Sequence, residues 1–184
     1  MTIVCEEMLR FAEEAGATHA RLTTTAGLEA RDDVRASCEQ NSCGKYGRCW
    51  TCPPTLGVLA ELGERLRSYP EGLLIQNIST LEDSWDFEGM MAAAQTHNQM
   101  MRDLARRIAA HYPGCEVLPL GCGGCGYCEK CSCPDAPCRF PDEALASVEG
   151  YGLDVKALVT PCGLNYINGV NTVSYVGMVL FRMA

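Results

Sequence analysis

The chain has 184 residues and a mass of 20.0 kDa, and its 15 basic against 23 acidic side chains give a net charge of −8. This length predicts a single domain over 1–184, and the acidic balance excludes a simple nucleic-acid-binding protein, which needs a basic surface. No stretch approaches the roughly 18 consecutive apolar residues of a membrane span, and the first residues lack the pattern of a signal peptide. We therefore expect a cytosolic protein with reduced cysteines and no membrane segment.

Helices and strands alternate in the predicted first half of the chain. Thr2 and Thr55 are positioned as N-caps, and Leu residues at helical spacing follow Thr55. In chain order the predicted elements are a helix at 2–15, a strand at 18–25, a polar loop at 29–54, a helix at 55–69, a strand at 72–79 and a helix at 84–111.

The second half is predicted to continue this alternation and to end in a hairpin. Its elements are a strand at 115–120, a loop at 121–141, a short helix at 141–149 and a helix at 154–160. The tail alternates apolar and polar residues around Asn168-Gly169, a pair that favours the type I′ turn of a β-hairpin. Together the elements predict an α/β or α+β fold with a single sheet of about four or five strands and packed helices.

Thirteen cysteines fall into two groups, which is not the distribution of cysteines that merely fill a core. An odd number cannot all pair as disulfides. The first group is Cys38, Cys43, Cys49 and Cys52, and the second is Cys115, Cys122, Cys125, Cys128, Cys131, Cys133 and Cys138; Cys5 and Cys162 stand apart. We predict a first metal loop at about 36–54 and a second metal loop at about 115–141 on a scaffold otherwise poor in cysteine.

The second metal loop repeats the step Cys-x2-Cys, which lets successive thiolates reach neighbouring irons of a [4Fe–4S] cluster. Glycines between them allow the backbone to approach a cluster closely. Several ligand sets fit, and we favour Cys125, Cys128, Cys131 and Cys138 as cluster ligands. Cys122 and Cys133 are further candidate metal ligands, and Cys115 is spare or binds something adjacent.

Four thiolates in the first metal loop, Cys38, Cys43, Cys49 and Cys52, are enough for a second [4Fe–4S] cluster or for a tetrahedral zinc ion. Zinc in both loops, or zinc in one and iron in the other, are the alternatives to two clusters. We favour two [4Fe–4S] clusters. The alternatives in function are a zinc-binding structural or scaffold module and a protein that hands on metal or clusters through spare thiols at Cys122, Cys133 and Cys162.

Several motifs in order resemble the family of predicted metal-binding proteins called domain of unknown function 2284. They are Cys43-x2-Tyr46-Gly47-x2-Trp50-x-Cys52-Pro53-Pro54, the Cys-x2-Cys run, Pro137-Cys138-Arg139-x-Pro141, Ser147-Val148-Glu149-x-Tyr151-Gly152-Leu153-Asp154-Val155 and Asn171-Thr172-Val173-x-Tyr175-Val176-Gly177. The resemblance covers roughly 38–180 and implies metal binding in an anaerobic setting, with partners related to corrinoid or methyl-transfer proteins.

The same resemblance implies a set of metal ligands: Cys38, Cys43, Cys52, Cys125, Cys128, Cys131 and Cys138. Cys49 occupies a position that the family does not always fill with cysteine. Without Cys49 as a ligand, a first cluster would keep an iron open to water or substrate.

Other side chains in or near the metal loops have weaker predicted roles. Ordinary packing is favoured over shielding of a cluster for Tyr46, Trp50 and Tyr127, and Lys45, Arg48 and Arg139 are candidates to offset thiolate charge. His97 lies on the apolar face of the long helix and is predicted to be a core histidine. No phosphate-binding loop or dinucleotide fingerprint is present.

From these observations we expect an iron–sulfur protein acting in electron transfer or low-potential reduction; whether it is itself an enzyme is left open. An acidic surface favours a redox partner with a basic patch. An exposed edge of the C-terminal hairpin would allow a homodimer.

Overall fold

The computed structural model describes residues 3–183, so the predicted cap at Thr2 lies outside the described residues. The helices are α1 (Ile3–Glu14), α2 (Asp32–Glu39), α3 (Leu59–Arg67), α4 (Phe87–His111) and α5 (Val155–Val159). The strands are β1 (His19–Thr24), β2 (Glu71–Thr80), β3 (Cys115–Gly121), β4 (Ala146–Ser147) and β5 (Thr172–Met183). Single 3-10 turns are formed by Pro141–Glu143, Glu149–Tyr151 and Thr160–Cys162. None of the described helices is long and apolar enough to cross a membrane.

The five strands form one mixed sheet in the order β1-β2-β5-β3-β4. All neighbours are antiparallel except β3 and β4, which run parallel through Leu120 opposite Ala146. The prediction of an α+β fold around one sheet is thereby confirmed. The second metal loop leaves the sheet at the end of β3, beside β4.

Alternating side chains of the long central strands divide the core between the two faces of the sheet. On one face Leu73, Ile75, Val179 and Phe181 pack with Phe11 of α1 and Leu104 and Ile108 of α4. On the other face Leu74, Met178 and Leu180 pack with Leu62 and Leu66 of α3 and Leu158 of α5. Successive residues of a strand point to opposite sides of the sheet, so these central strands contribute side chains to both halves of the core.

Two elements of the first half differ from the prediction. Helix α2 lies inside the predicted loop at 29–54. It has no buried residue, so the sequence contains no apolar stripe that would predict a helix there. Thr55 does not cap a helix. Its hydroxyl donates to the carbonyls of Cys49 (2.6 Å) and Cys52 (2.8 Å), and α3 begins four residues later at Leu59.

Two predictions for the second half are wrong. Residues 141–149 do not form one helix, because the segment turns at Pro141–Glu143 and then pairs with β3 as β4. The tail does not form a hairpin at Asn168-Gly169. It supplies one long strand, β5, which pairs with β2 on one side and β3 on the other, so the exposed hairpin edge invoked for a dimer is absent from this part of the chain.

His97 confirms its prediction as a core histidine. The ring lies on the sheet-facing side of α4, with Nδ1 2.8 Å from Oδ1 of Asn77 and Nε2 buried without a hydrogen-bond partner among the described residues. A Cβ on Gly177 would lie 2.9 Å from Nε2, so the glycine makes room for the ring. Burial lowers the pKa of His97 to about 4.

The His97→Gln variant is expected to lose part of the acid sensitivity of folding. Because the folded pKa is depressed below the usual 6.5, His97 must stay neutral, and its contribution is present above pH 6.5 and lost as the pH falls towards 4. The shift corresponds to up to about 3 kcal/mol. Urea unfolding of both proteins at pH 7.5 and pH 5 measures this difference. An equal loss of stability on acidification in both proteins would contradict it.

Candidate metal centre

One partly enclosed cavity brings together the four cysteines favoured as cluster ligands. Cys125, Cys128, Cys131 and Cys138 line it, and Cys49 of the first metal loop lines it as well. The space is about 40 Å³, a few times that of one water molecule. We call this space the five-thiol cavity.

Hydrogen bonds between the two metal loops place Cys49 in the five-thiol cavity. Nε1 of Trp50 donates to the carbonyl of Ala136 (3.1 Å), and the buried Cys133 thiol lies 3.8 Å from the carbonyl oxygen of Gly47. Gly124 is close to the first metal loop, since a Cβ there would lie 3.7 Å from Sγ of Cys52. The two groups of cysteines therefore belong to one region at one end of the sheet.

An adjoining cleft of about 620 Å³ shares a wall with the five-thiol cavity. The shared wall consists of Lys45, Cys125, Gly126 and Tyr127. Cys43 and Cys122 also line the cleft. Lys45 borders both spaces, whereas neither Arg48 nor Arg139 lines them, and all three side chains are exposed.

Arg102 is a functional residue that the sequence analysis missed. Its side chain is only 6% exposed, and the guanidinium donates to the carbonyls of Glu143 (2.8 Å) and Cys125 (2.6 Å) and lies 3.5 Å from Sγ of Cys125. The backbone N–H of Leu145 also donates to this sulfur at 3.5 Å. A buried guanidinium needs hydrogen-bond acceptors, and the two carbonyls and the Cys125 sulfur provide them.

A hydrogen bond between the Cys49 and Cys52 thiols moves their pKa values in opposite directions. A hydrogen bond from Cys52 lowers the pKa of Cys49; burial opposes this, and the Thr51 hydroxyl and the Cys125 backbone N–H add to it. The same hydrogen bond, together with burial and the charges of Cys49, Cys43 and Cys38, raises the pKa of Cys52. Cys49 is therefore the more acidic thiol of the pair, and a lower pKa favours the thiolate form that binds metal.

The remaining thiols have different surroundings. Cys38 lies near the end of α2, and burial followed by the charges of Cys43 and Glu149 raises its pKa, while Arg35 lowers it. Cys122 is buried against α4, 3.6 Å from Oδ1 of Asn98, and burial and the Glu149 charge raise its pKa to about 12.

Three cysteines lie away from the five-thiol cavity. Cys5 and Cys115 are buried in the molecule, with Cys115 in the core between α4 and the sheet. Cys162 packs on the other face of the sheet from Cys115 and lies near Arg21 of β1. Strand β1 is the edge strand on the side of the sheet away from β4. No group of three or more His, Cys, Asp or Glu side chains within residues 3–183 surrounds a single metal-ion position. Ligands of an iron–sulfur cluster bind different irons and are spread around it.

A cysteine-rich α+β protein with clustered thiols at one end of its sheet is the class that this geometry defines. Residues 21–181 match the model of the predicted metal-binding protein family, domain of unknown function 2284. The chain therefore belongs to this family of predicted metal-binding proteins, as its motifs indicate. No curated protein and no solved structure matches the chain.

Arg102→Met is expected to destabilise the protein by about 3 kcal/mol, because two buried carbonyls and the Cys125 sulfur lose their donor. Arg106→Met is the matched control, one turn further along α4, where the guanidinium is exposed and bonds Asp103 and Glu143 at the surface. Urea denaturation measures the free energy of unfolding of both variants and of the unmodified protein. Similar losses in the two variants would contradict the assigned role of Arg102.

Proposed function

We propose that this protein binds two [4Fe–4S] clusters, one at each group of thiols, and transfers electrons to a partner protein. The observation that carries the proposal is the five-thiol cavity, in which three cysteines in Cys-x2-Cys spacing (Cys125, Cys128 and Cys131), the remote Cys138 and Cys49 of the first metal loop surround one space. Bound there, a cluster would supply reversible one-electron chemistry at a potential set by its surroundings.

The groups around the five-thiol cavity are those that stabilise a cluster. Arg102 and the Leu145 N–H direct donors at Sγ of Cys125, and such donors stabilise thiolate charge and raise the reduction potential of a cluster. Tyr127 and Phe140 line the cavity with their rings 5.2 Å apart. These aromatic rings exclude water from one side, and Lys45 adds a positive charge between the two spaces.

The shared wall between the cavity and the cleft supports two neighbouring centres. Electrons can then pass between the centres within the chain before they leave it. Tyr127 and Phe140 are 41% and 46% exposed, so the five-thiol cavity lies near the surface, where a partner can approach. The net charge of −8 favours a partner with a basic surface.

Metal analysis of anaerobically purified protein tests the proposal. We expect about eight irons with equivalent acid-labile sulfide per chain, a brown colour and an EPR signal that appears on reduction with dithionite. About four irons would leave a single cluster and overturn the two-cluster assignment. One or two zinc ions in a colourless protein would overturn the electron-transfer function and favour a structural zinc module.

Alanine variants test which thiols bind the cluster in the five-thiol cavity. Cys128→Ala and Cys131→Ala are expected to lose about half of the bound iron, because each removes a ligand of one cluster while the other is retained. Cys162→Ala is the control and is expected to keep all of its iron, since Cys162 lies at the far edge of the sheet. Iron and acid-labile sulfide are measured in the three variants, and near-UV circular dichroism verifies that each one has folded. Full iron in Cys128→Ala and Cys131→Ala would contradict the assignment.

A further inference from the structure

The 3-10 turn Glu149–Tyr151 lies where α2 and both metal loops meet. Arg35 of α2 donates to the carbonyl of Gly150 (2.6 Å) and to that of Gly57 (2.7 Å). A Cβ on Gly150 would lie 3.7 Å from the carbonyl oxygen of Thr51. The turn is therefore in contact with α2 and with the end of the first metal loop.

Glu149 brings a buried carboxylate to this junction. Its Oε2 is inaccessible to solvent and has no hydrogen-bond partner among the described residues. Burial raises the pKa of the carboxyl group, while its own N–H, the Ser147 hydroxyl and the Gly123 N–H oppose the rise. A buried carboxylate oxygen without a partner is costly, and a metal ion is one of the few groups that repay the cost.

The Glu149 carboxylate acts through its charge on one thiol of each metal loop, Cys38 and Cys122. Cys38 in turn interacts with Cys43, and Cys52 interacts with both. Cys49, the fourth cysteine of the first group, lines the five-thiol cavity with the second metal loop. The Cys122 thiol contacts Oδ1 of Asn98 (3.6 Å), so the donors left at this junction are the thiols of Cys38, Cys43 and Cys52 and the Glu149 carboxylate.

We propose that the carboxylate of Glu149 is the fourth ligand of the first metal centre, beside the thiolates of Cys38, Cys43 and Cys52. This assignment rests on the proposed iron–sulfur function and deepens it. Carboxylate oxygen is a harder ligand than thiolate and holds iron of a sulfur-rich centre less firmly. The iron bound to Glu149 is therefore the one position that a small exogenous ligand can take by displacing a protein group, while Cys49 serves the second centre.

Mössbauer spectroscopy of 57Fe-loaded, anaerobically purified protein tests this ligand set. We expect one iron site, about a quarter of the iron in the first centre, with the larger isomer shift of oxygen ligation. The Glu149→Gln variant is expected to lose this subspectrum, and Glu149→Cys is expected to keep the iron and convert the site to the parameters of thiolate ligation. Glu143→Gln is the matched control, a carboxylate in the neighbouring 3-10 turn that bonds Arg106.

The outcomes separate this inference from the proposed function. A brown wild-type protein whose irons all have thiolate parameters overturns the Glu149 assignment and leaves the electron-transfer proposal standing, whatever the variants do. An unchanged spectrum in Glu149→Gln does the same. Wild-type protein without iron overturns the proposed function itself. Loss of the oxygen-ligated site in Glu149→Gln but not in Glu143→Gln supports the assignment, and its conversion in Glu149→Cys shows that the variant has folded.

Discussion

Crowding of ionisable thiols at one end of the sheet is the constraint on which the rest of this structure depends. Like charges at close range cannot all form without a compensating cation, and the hydrogen bond between Cys49 and Cys52 accordingly lowers the pKa of one thiol and raises that of the other. Arg102 beside Cys125 and Arg35 beside Cys38 supply one positive charge to each group of thiols. Bound metal is the remaining source of positive charge for so many sulfur atoms, and membership of a metal-binding family agrees with this need.

The sheet delivers the two groups of thiols to the same place by different routes. The second metal loop starts directly from the end of β3, which is fixed between β4 and β5. The first metal loop has no strand of its own and is held by side chains, chiefly Arg35 to the Gly57 and Gly150 carbonyls and Trp50 to the Ala136 carbonyl. The sheet therefore fixes the start of the second metal loop, and side-chain hydrogen bonds hold the first metal loop against it.

The division of donors between the two centres gives them different chemistry. The five-thiol cavity has only sulfur ligands to offer, with N–H and guanidinium donors directed at one of them, and such surroundings favour an electron carrier. Beside it, a junction of three thiols and the Glu149 carboxylate would hold iron with one exchangeable oxygen ligand. An electron-carrying centre and a reactive iron would then lie in the same region of the molecule.

The cysteine pattern predicted Cys125, Cys128, Cys131 and Cys138, four of the five thiols that line the five-thiol cavity, whereas only the tertiary structure added Cys49 and left out Cys122. Runs of apolar residues likewise indicated β2 and β3, which lie inside the sheet. Contacts between residues distant along the chain could not be predicted from local patterns, and only the tertiary structure determines them. Pairing with β2 and β3 overrode the hairpin signal of Asn168-Gly169, and α2 has no buried face to reveal it. Arg102 and Glu149 come close to the thiols through tertiary contacts, because α4 packs on the sheet and a turn 18 residues beyond Cys131 folds back. The four-residue spacing of Asn98 and Arg102 places both on one face of α4, and this was the signal in the sequence that could have indicated Arg102.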